Sequence, residues 1–427
     1  MKSSREQAGW YFYDFANSAF SSTVVTPFLG PYLLGLALAA SDGRGFVHPL
    51  GLNISARAWW SYVLAASVAL QVVFLPLIGA LADYSRRKKL LLALLAYGGA
   101  LPTIALFWVR GEAYLAGGLL FLWANLCFGA SVVVYNSYLP QIARPQERDA
   151  VSSKGWGLGY LGGGTLLALN VLLVFKADAL GLRGEEAVRI SLASAGVWWA
   201  LFTLIPLAAL KTREPALAMP PGENYLTQPV RQLARTVREL RRQPQALRFL
   251  LAYLLYNDAI QAVIGLASQF GTDELKMSMA SLATMTLMVQ FVAVLGALGF
   301  NRIAARTGAK RAIMFSLAVW SAVIVAIFAW VRTGTQFFAL AAVVALVLGG
   351  SQALSRSLFS QMIPKGKEAE YFGIYEISDK GTSWLCPLLF GLALQFTGSY
   401  RAAVLSLLIS FLAGMAVLAR VRPGTAR

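Results

Sequence analysis

Hydrophobic positions in this chain come in long blocks separated by short polar stretches. The blocks run at roughly 10–38, 58–82, 88–109, 113–139, 152–175 and 189–210, and again at roughly 247–270, 281–300, 310–331, 335–358, 371–397 and 400–419. A helix crosses the hydrocarbon core of a bilayer in about 20 residues. The pattern therefore predicts an all-α polytopic membrane protein of twelve transmembrane helices, with both chain ends on one side. A long polar stretch interrupts the series after the sixth block. It divides the chain into an N-terminal six-helix half (1–210), a linker (211–246) and a C-terminal six-helix half (247–427). Within the linker, Val230, Leu233, Val237 and Leu240 recur every three or four residues. That spacing predicts an amphipathic helix lying on the cytoplasmic surface and interacting with anionic lipid.

The polar exceptions inside the apolar blocks carry the candidate chemistry. Span one opens with GWYFYDFANSAF, which places Asp14 and Asn17 in a membrane helix, and span seven carries YNDAIQ, with Asn257, Asp258 and Gln261. An ionisable group at membrane depth is costly and marks a functional site by default. Asn17 and Gln261 each lie three residues beyond an acid, within reach of the same helix face. These five residues are the candidates for binding a small zwitterion or a proton; the competing role is hydrogen bonding that locks helices together. Both acids are expected close to the cytoplasmic boundary, which favours a gate over a ligand at the membrane midplane. Asn257 adjoins Asp258 and is placed to hydrogen-bond it, leaving Asp14 as the less satisfied carboxylate and the better proton carrier.

The two halves echo one another in four places. Tyr13-Asp14 answers Tyr256-Asn257-Asp258, the loop Gly79 to Lys89 answers Asn301 to Arg311, Leu139-Pro140 answers Ile363-Pro364, and Ser152-Ser153-Lys154-Gly155 answers Ser378-Asp379-Lys380-Gly381. Repeated halves around a central site are how alternating-access transporters are built. Lys154 and Lys380 open spans five and eleven, Glu376 precedes Lys380 by four residues, and Arg356 sits at the end of span ten. These four are candidates for a gate of ion pairs, with snorkelling to headgroups as the alternative.

Charge adds orientation. Of the 37 Lys and Arg residues, 28 fall on the side of the two termini when loops are assigned alternately. Basic residues collect in the cytoplasm, so both termini are expected there. The formal charge of +17 then reflects topology and lipid contact, and nucleic acid is not expected as a partner. The two cysteines lie in separate helices and read as packing residues. His48, the only histidine, reads as a solvated loop residue. No metal or other cofactor is implied. Gly155, Gly159 and Gly163 share one helix face and predict close helix packing. Trp59-Trp60, Trp108 and Trp198-Trp199 lie at span ends and predict interfacial belts.

The segment GALADYSRRKK, Gly79 to Lys89, resembles the cytoplasmic motif of the major facilitator superfamily, with Gly79, Asp83, Arg87 and Lys88 in register and Tyr84 and Arg86 departing from it. The second copy keeps Arg306, Gly308 and Lys310 but has Ala305 in place of the acid. The resemblance implies that Asp83, among Arg86, Arg87 and Lys88, latches the two halves. WYFYDFANSAF, YNSYLPQIA, SSKGWGLGYLGGG, YNDAIQ, GGSQALSRSLFSQMIP and YFGIYEISDKGTS further resemble the autophagy-related vacuolar amino-acid effluxer family. That resemblance spans nearly the whole chain. It implies the major facilitator fold and a permease that exports amino acids, as the fungal members do from the vacuole.

The function expected is secondary active transport of a small polar solute, an amino acid or short peptide, by alternating access with protons as the candidate coupling ion. The location expected is a bacterial inner membrane. Two alternatives stay open: a transporter of another small metabolite, and a transport-inactive scaffold or receptor. An enzyme is not expected, because one loop histidine offers no metal-binding HExxH or Ser–His arrangement, and no Walker motif is present for nucleotide hydrolysis.

Overall fold

The computed structural model describes residues 4–215, 217, 227–241, 243–380 and 385–422. Among them, eleven helices are long and apolar enough to cross a membrane. Spans one to six are Arg5–Ala39, Ala56–Tyr84, Lys88–Trp108, Tyr114–Ile142, Pro145–Phe175 and Gly184–Ala209. Spans seven to ten are Pro244–Asp273, Ala280–Thr307, Ala309–Ala329 and Gly334–Ser360, and span twelve is Tyr400–Ala419. For span eleven the described residues are helical over Glu368–Lys380 and Leu385–Thr397. The linker contains a helix at Thr227–Leu240.

Several helices begin earlier than their apolar blocks. Ser4 caps span one through a reciprocal capping box with Gln7, so the helix starts at Arg5 and carries a polar first turn. Span seven likewise starts at Pro244, a residue suited to a first helical position. Asp14 therefore lies more than two turns into its helix and Asp258 about four turns into its own, deeper than the apolar blocks implied. Span one also changes character after Asp14. Residues Phe20–Phe28 form a π-helix containing Pro27 before the α-helix resumes at Leu29. Proline lacks the N–H that an α-helical ladder needs, and wide turns of this kind recur at functional sites.

The chain clusters into two compact units. The first comprises Met1–Leu75, Arg86–Tyr135 and Leu158–Glu214; the second comprises Pro76–Ser85, Asn136–Gly157 and Pro215–Arg427. In the first unit, Trp10 stacks on Tyr135 at 4.4 Å and donates its indole N–H to the Tyr135 carbonyl. Spans one and five touch through glycine: a Cβ on Gly162 would sit 2.3 Å from the Phe15 carbonyl oxygen, and one on Gly163 would meet Ser22. Close backbone approach replaces the hydrophobic effect as the source of helix association in lipid. Gly99 opens a slot for Trp199, which is fully buried against Phe20 and Phe128. Trp199 and the buried Trp59 therefore do not belong to an interfacial belt, whereas Trp108 is exposed.

In the second unit, spans eight and ten approach through a reciprocal glycine pair. A Cβ on Gly296 would meet the Leu346 carbonyl, and one on Gly349 the Ala293 carbonyl, each at 2.2 Å. Cys127 and Cys386 are free and buried. His48 lies in an exposed loop after span one, bonded to Asn53 at 2.8 Å.

Candidate functional site

The basic ends of the helices in the second unit are joined by buried polar bonds. At the end of span two, the Asp83 carboxylate accepts the Ala369 amide at 3.0 Å and the Glu370 amide at 2.9 Å. Both amides belong to the first turn of the Glu368–Lys380 helix, where backbone donors have no intrahelical acceptor. A carboxylate there satisfies two such donors and meets the positive end of the helix dipole. Gly79, one turn earlier on the same face, makes the approach feasible, since a Cβ would lie 2.3 Å from the Ala369 carbonyl oxygen. Asp83 is buried, while Arg86 and Arg87 are exposed and Lys88 is half-buried. The geometry thus gives Asp83 backbone amides to hold.

Tyr84, where the superfamily motif has a basic residue, also acquires a partner. Its hydroxyl donates to Gln232 Oε1 at 3.1 Å and accepts from Gln228 Nε2 at 3.0 Å. Gln232 Nε2 donates onward to Glu370 Oε2 at 3.4 Å, and Lys367 pairs with Glu239. The face that the linker helix buries is therefore the row Gln228, Gln232, Thr236 and Leu240, and three of these four are polar. Of the apolar row expected to lie on lipid, Leu240 is buried with it. Leu233 is half-buried, and the side chains of Val230 and Val237 lie outside the described residues.

A third cluster centres on Arg356. Its guanidinium donates to Ser152 Oγ at 2.9 Å, to the Ser152 carbonyl at 2.9 Å and to Asn136 Oδ1 at 3.3 Å, and it lies over the Trp156 ring. Asn136 then donates to Glu376 Oε1 at 3.1 Å. Four spans meet at one buried cation, so Arg356 does not snorkel. Beside it, Ser357 donates to Asp149 and Arg148 to the Ser360 carbonyl. Lys154 is half-buried on the helix that supplies Ser152, and the Lys380 side chain, with its expected pairing to Glu376, lies outside the described residues.

Deeper in this unit, Asp258 Oδ2 accepts the Cys386 amide at 2.8 Å, at the start of the Leu385–Thr397 helix. Asp258 Oδ1 is buried without a hydrogen-bond partner among the described residues. Asn257 does not bond its neighbour: its Nδ2 donates to Asp379 Oδ1 at 2.7 Å and to the Asp379 carbonyl at 3.3 Å. Successive residues on a helix project about 100° apart, so adjacency in sequence works against side-chain contact. The expectation that Asn257 satisfies Asp258 is thereby overturned. Tyr253 also donates to Asp379 Oδ1, at 2.7 Å, and Gln261 is half-buried one turn further on.

In the first unit, Asp14 and Asn17 are buried on span one. A Cβ on Gly159 would come within 3.3 Å of the Asp14 Cβ, so the acid packs against the glycine face of span five. Tyr84, Asn136, Ser152, Gln228, Gln232, Tyr253, Glu370 and Asp379 were not singled out as site residues. Ser152 and Asp379 carried a signal in the repeated SSKG and SDKG segments, Asn136 in YNSYLPQIA and Tyr84 as a departure from the motif.

Twelve-span helical architecture with these polar ends defines a transporter of the major facilitator class, and solved structures agree. A bacterial homologue of the iron transporter ferroportin, in an outward-facing state, aligns with TM-score 0.70 over 97% of this chain and 98% of its own at 13% identity. The human organic anion transporter MFSD10 aligns with TM-score 0.68 over 97% and 99% at 16% identity. Within that class, the family described as "Vacuole effluxer Atg22 like" matches residues 2–426, and the chain belongs to it. Similar relatives include the MFS-type transporter YxiO of Bacillus subtilis, 29% identical over 98% of this chain and 95% of that one. Autophagy-related protein 22 of Pyricularia oryzae is 26% identical over 94% and 74%.

Proposed function

We propose that this transporter exports a small zwitterion, an amino acid or short peptide, by alternating access in exchange for protons. One observation carries the alternating-access part: the basic ends of spans two, four and five are held to spans ten and eleven by buried polar bonds. Bonds of this kind are satisfied by water when broken, so two states of similar free energy become accessible. Asp83 and Arg356 are the gate residues in this scheme, with Glu376, Lys154 and Lys380 around them and Arg86, Arg87 and Lys88 in the adjoining loop. Asp14, Asn17, Asn257, Asp258 and Gln261 serve substrate and proton. The basic ends and both termini lie in the cytoplasm of a bacterial cell, following the distribution of Lys and Arg. The halves 1–210 and 247–427 act as the two repeats, and 211–246 connects them.

A thermal-shift screen of the purified protein against a metabolite library tests the substrate class, because a ligand that binds the folded state raises its apparent stability. Amino acids or dipeptides should protect. Protection by sugars or nucleotides alone would point to another metabolite, and no protection by any solute would favour the scaffold.

A further inference from the structure

The cluster on span seven and the first helix of span eleven has an imbalance of hydrogen-bonding groups. Asp379 Oδ1 takes donors from Tyr253 and Asn257, each at 2.7 Å. The Tyr253 ring is fixed by stacking on Tyr375 at 4.4 Å, with planes 15° apart, which holds the hydroxyl on its acceptor. Asn257 is fully buried, and its amide nitrogen is committed to Asp379. Its amide oxygen has no partner among the described residues. The amide orientation is fixed by this arrangement, since a flipped amide would set its oxygen against a carboxylate. Buried polar atoms are nearly always bonded, so an orphan acceptor beside a carboxylate calls for a donor from outside the cluster.

We infer that Asp379 and Asn257 form a subsite for a primary ammonium group, taken by Asp379 Oδ2 and Asn257 Oδ1. An ammonium carries three donors, no acceptor and a positive charge, which matches a cluster in which Tyr253 and Asn257 have committed their donors to Asp379 and the Asn257 amide oxygen is left as an acceptor. A carboxylate or a sugar brings acceptors that would stay unpaired here. A sodium ion asks for a fuller shell of oxygens than these two residues provide. Asp379 is half-buried whereas Asn257 is closed off, so an incoming group meets the carboxylate first. The inference deepens the proposal of a zwitterionic substrate by assigning the site of its amino group.

The test uses the full-length purified protein and n-butylammonium chloride, titrated at constant ionic strength against tetramethylammonium and sodium chlorides. Butylammonium should raise the thermal midpoint, and tetramethylammonium, which has no N–H donor, should not. Asp379→Asn should weaken the apparent butylammonium affinity by about tenfold to a hundredfold, the range for a lost bond to a charged group. Should Asp379→Asn fail to fold, Asn257→Ala provides the reading, with a loss of about tenfold expected for one neutral acceptor. Equal protection by all three cations, protection by sodium alone, or unchanged affinity in whichever of these variants folds overturns the subsite. In flux assays, Asp379-dependent butylammonium binding without transport of any amino acid would defeat the transport proposal and leave the subsite standing. Transport of free amino acids undiminished in Asp379→Asn would do the reverse.

Discussion

Replacing Asp83 by Asn should release the end of span two from span eleven. The native carboxylate accepts two amides at 3.0 and 2.9 Å. Asn keeps one acceptor oxygen and turns an NH2 group toward the second N–H. One charge-assisted bond is lost, at about 1.5–3 kcal/mol, together with the attraction to the helix end, at about 0.3–1 kcal/mol. Allowing for a donor-to-donor contact, the docked arrangement loses about 2–4 kcal/mol, which shifts its population by about thirtyfold to a thousandfold. An arrangement in which Asp83 is hydrated loses nothing comparable. Spin labels at Arg86→Cys and Lys365→Cys occupy exposed positions, and the native cysteines are buried. Their distance distribution in the parent should be dominated by one population, and Asp83→Asn should move weight to another while expression is retained. If the distribution and the transport rate are both unchanged, the capping bonds do not hold one state and the argument from Asp83 fails.

Tyr84→Phe leaves the buried amides of Gln228 and Gln232 short of a partner, at about 1–3 kcal/mol, so trypsin should cut at exposed Arg235 and Arg238 about tenfold faster; unchanged cleavage would mean the linker helix is held by other contacts. Arg356→Met strips the donor from Asn136 and Ser152 and should lower stability by about 3–5 kcal/mol in thermal unfolding. Arg356→Lys should fail to restore it, because an ammonium cannot reproduce the guanidinium fork, and full rescue by Lys would refute the geometry. Asp258→Asn keeps an acceptor for the Cys386 amide and removes the carboxylate, so it should abolish the pH dependence of flux. Asp14→Asn should mainly weaken substrate binding, and pH dependence that survives in Asp258→Asn would return the proton to Asp14.

The spans were legible because a bilayer imposes one length on every apolar block, and nothing else in the sequence repeats on that scale. Helix starts were less so. Ser4 with Gln7 and Pro244 extend spans one and seven through polar turns that a hydropathy pattern leaves out. Asp83 was legible through its motif. Its partners were not, since they are backbone amides with no side-chain signature. The linker helix was legible from its apolar period, but its polar partners were not. Its apolar period pointed to lipid, while Gln228 and Gln232 are buried against the Tyr84 hydroxyl, which stands where the motif has a basic residue. Asn257 and Asp258 show the limit most plainly. Neighbours in sequence, they face different elements of span eleven and have different partners.

Counterflow in proteoliposomes tests the central claim most directly. Vesicles holding the purified protein are loaded with an unlabelled amino acid that protects it in the thermal screen, and the same labelled amino acid is added outside at trace level. Alternating access predicts transient accumulation of label above equilibrium, absent from protein-free vesicles and reduced in Asp83→Asn. Accumulation no greater than in protein-free vesicles, from protein that still binds the amino acid, would contradict transport and leave a binding or scaffold role.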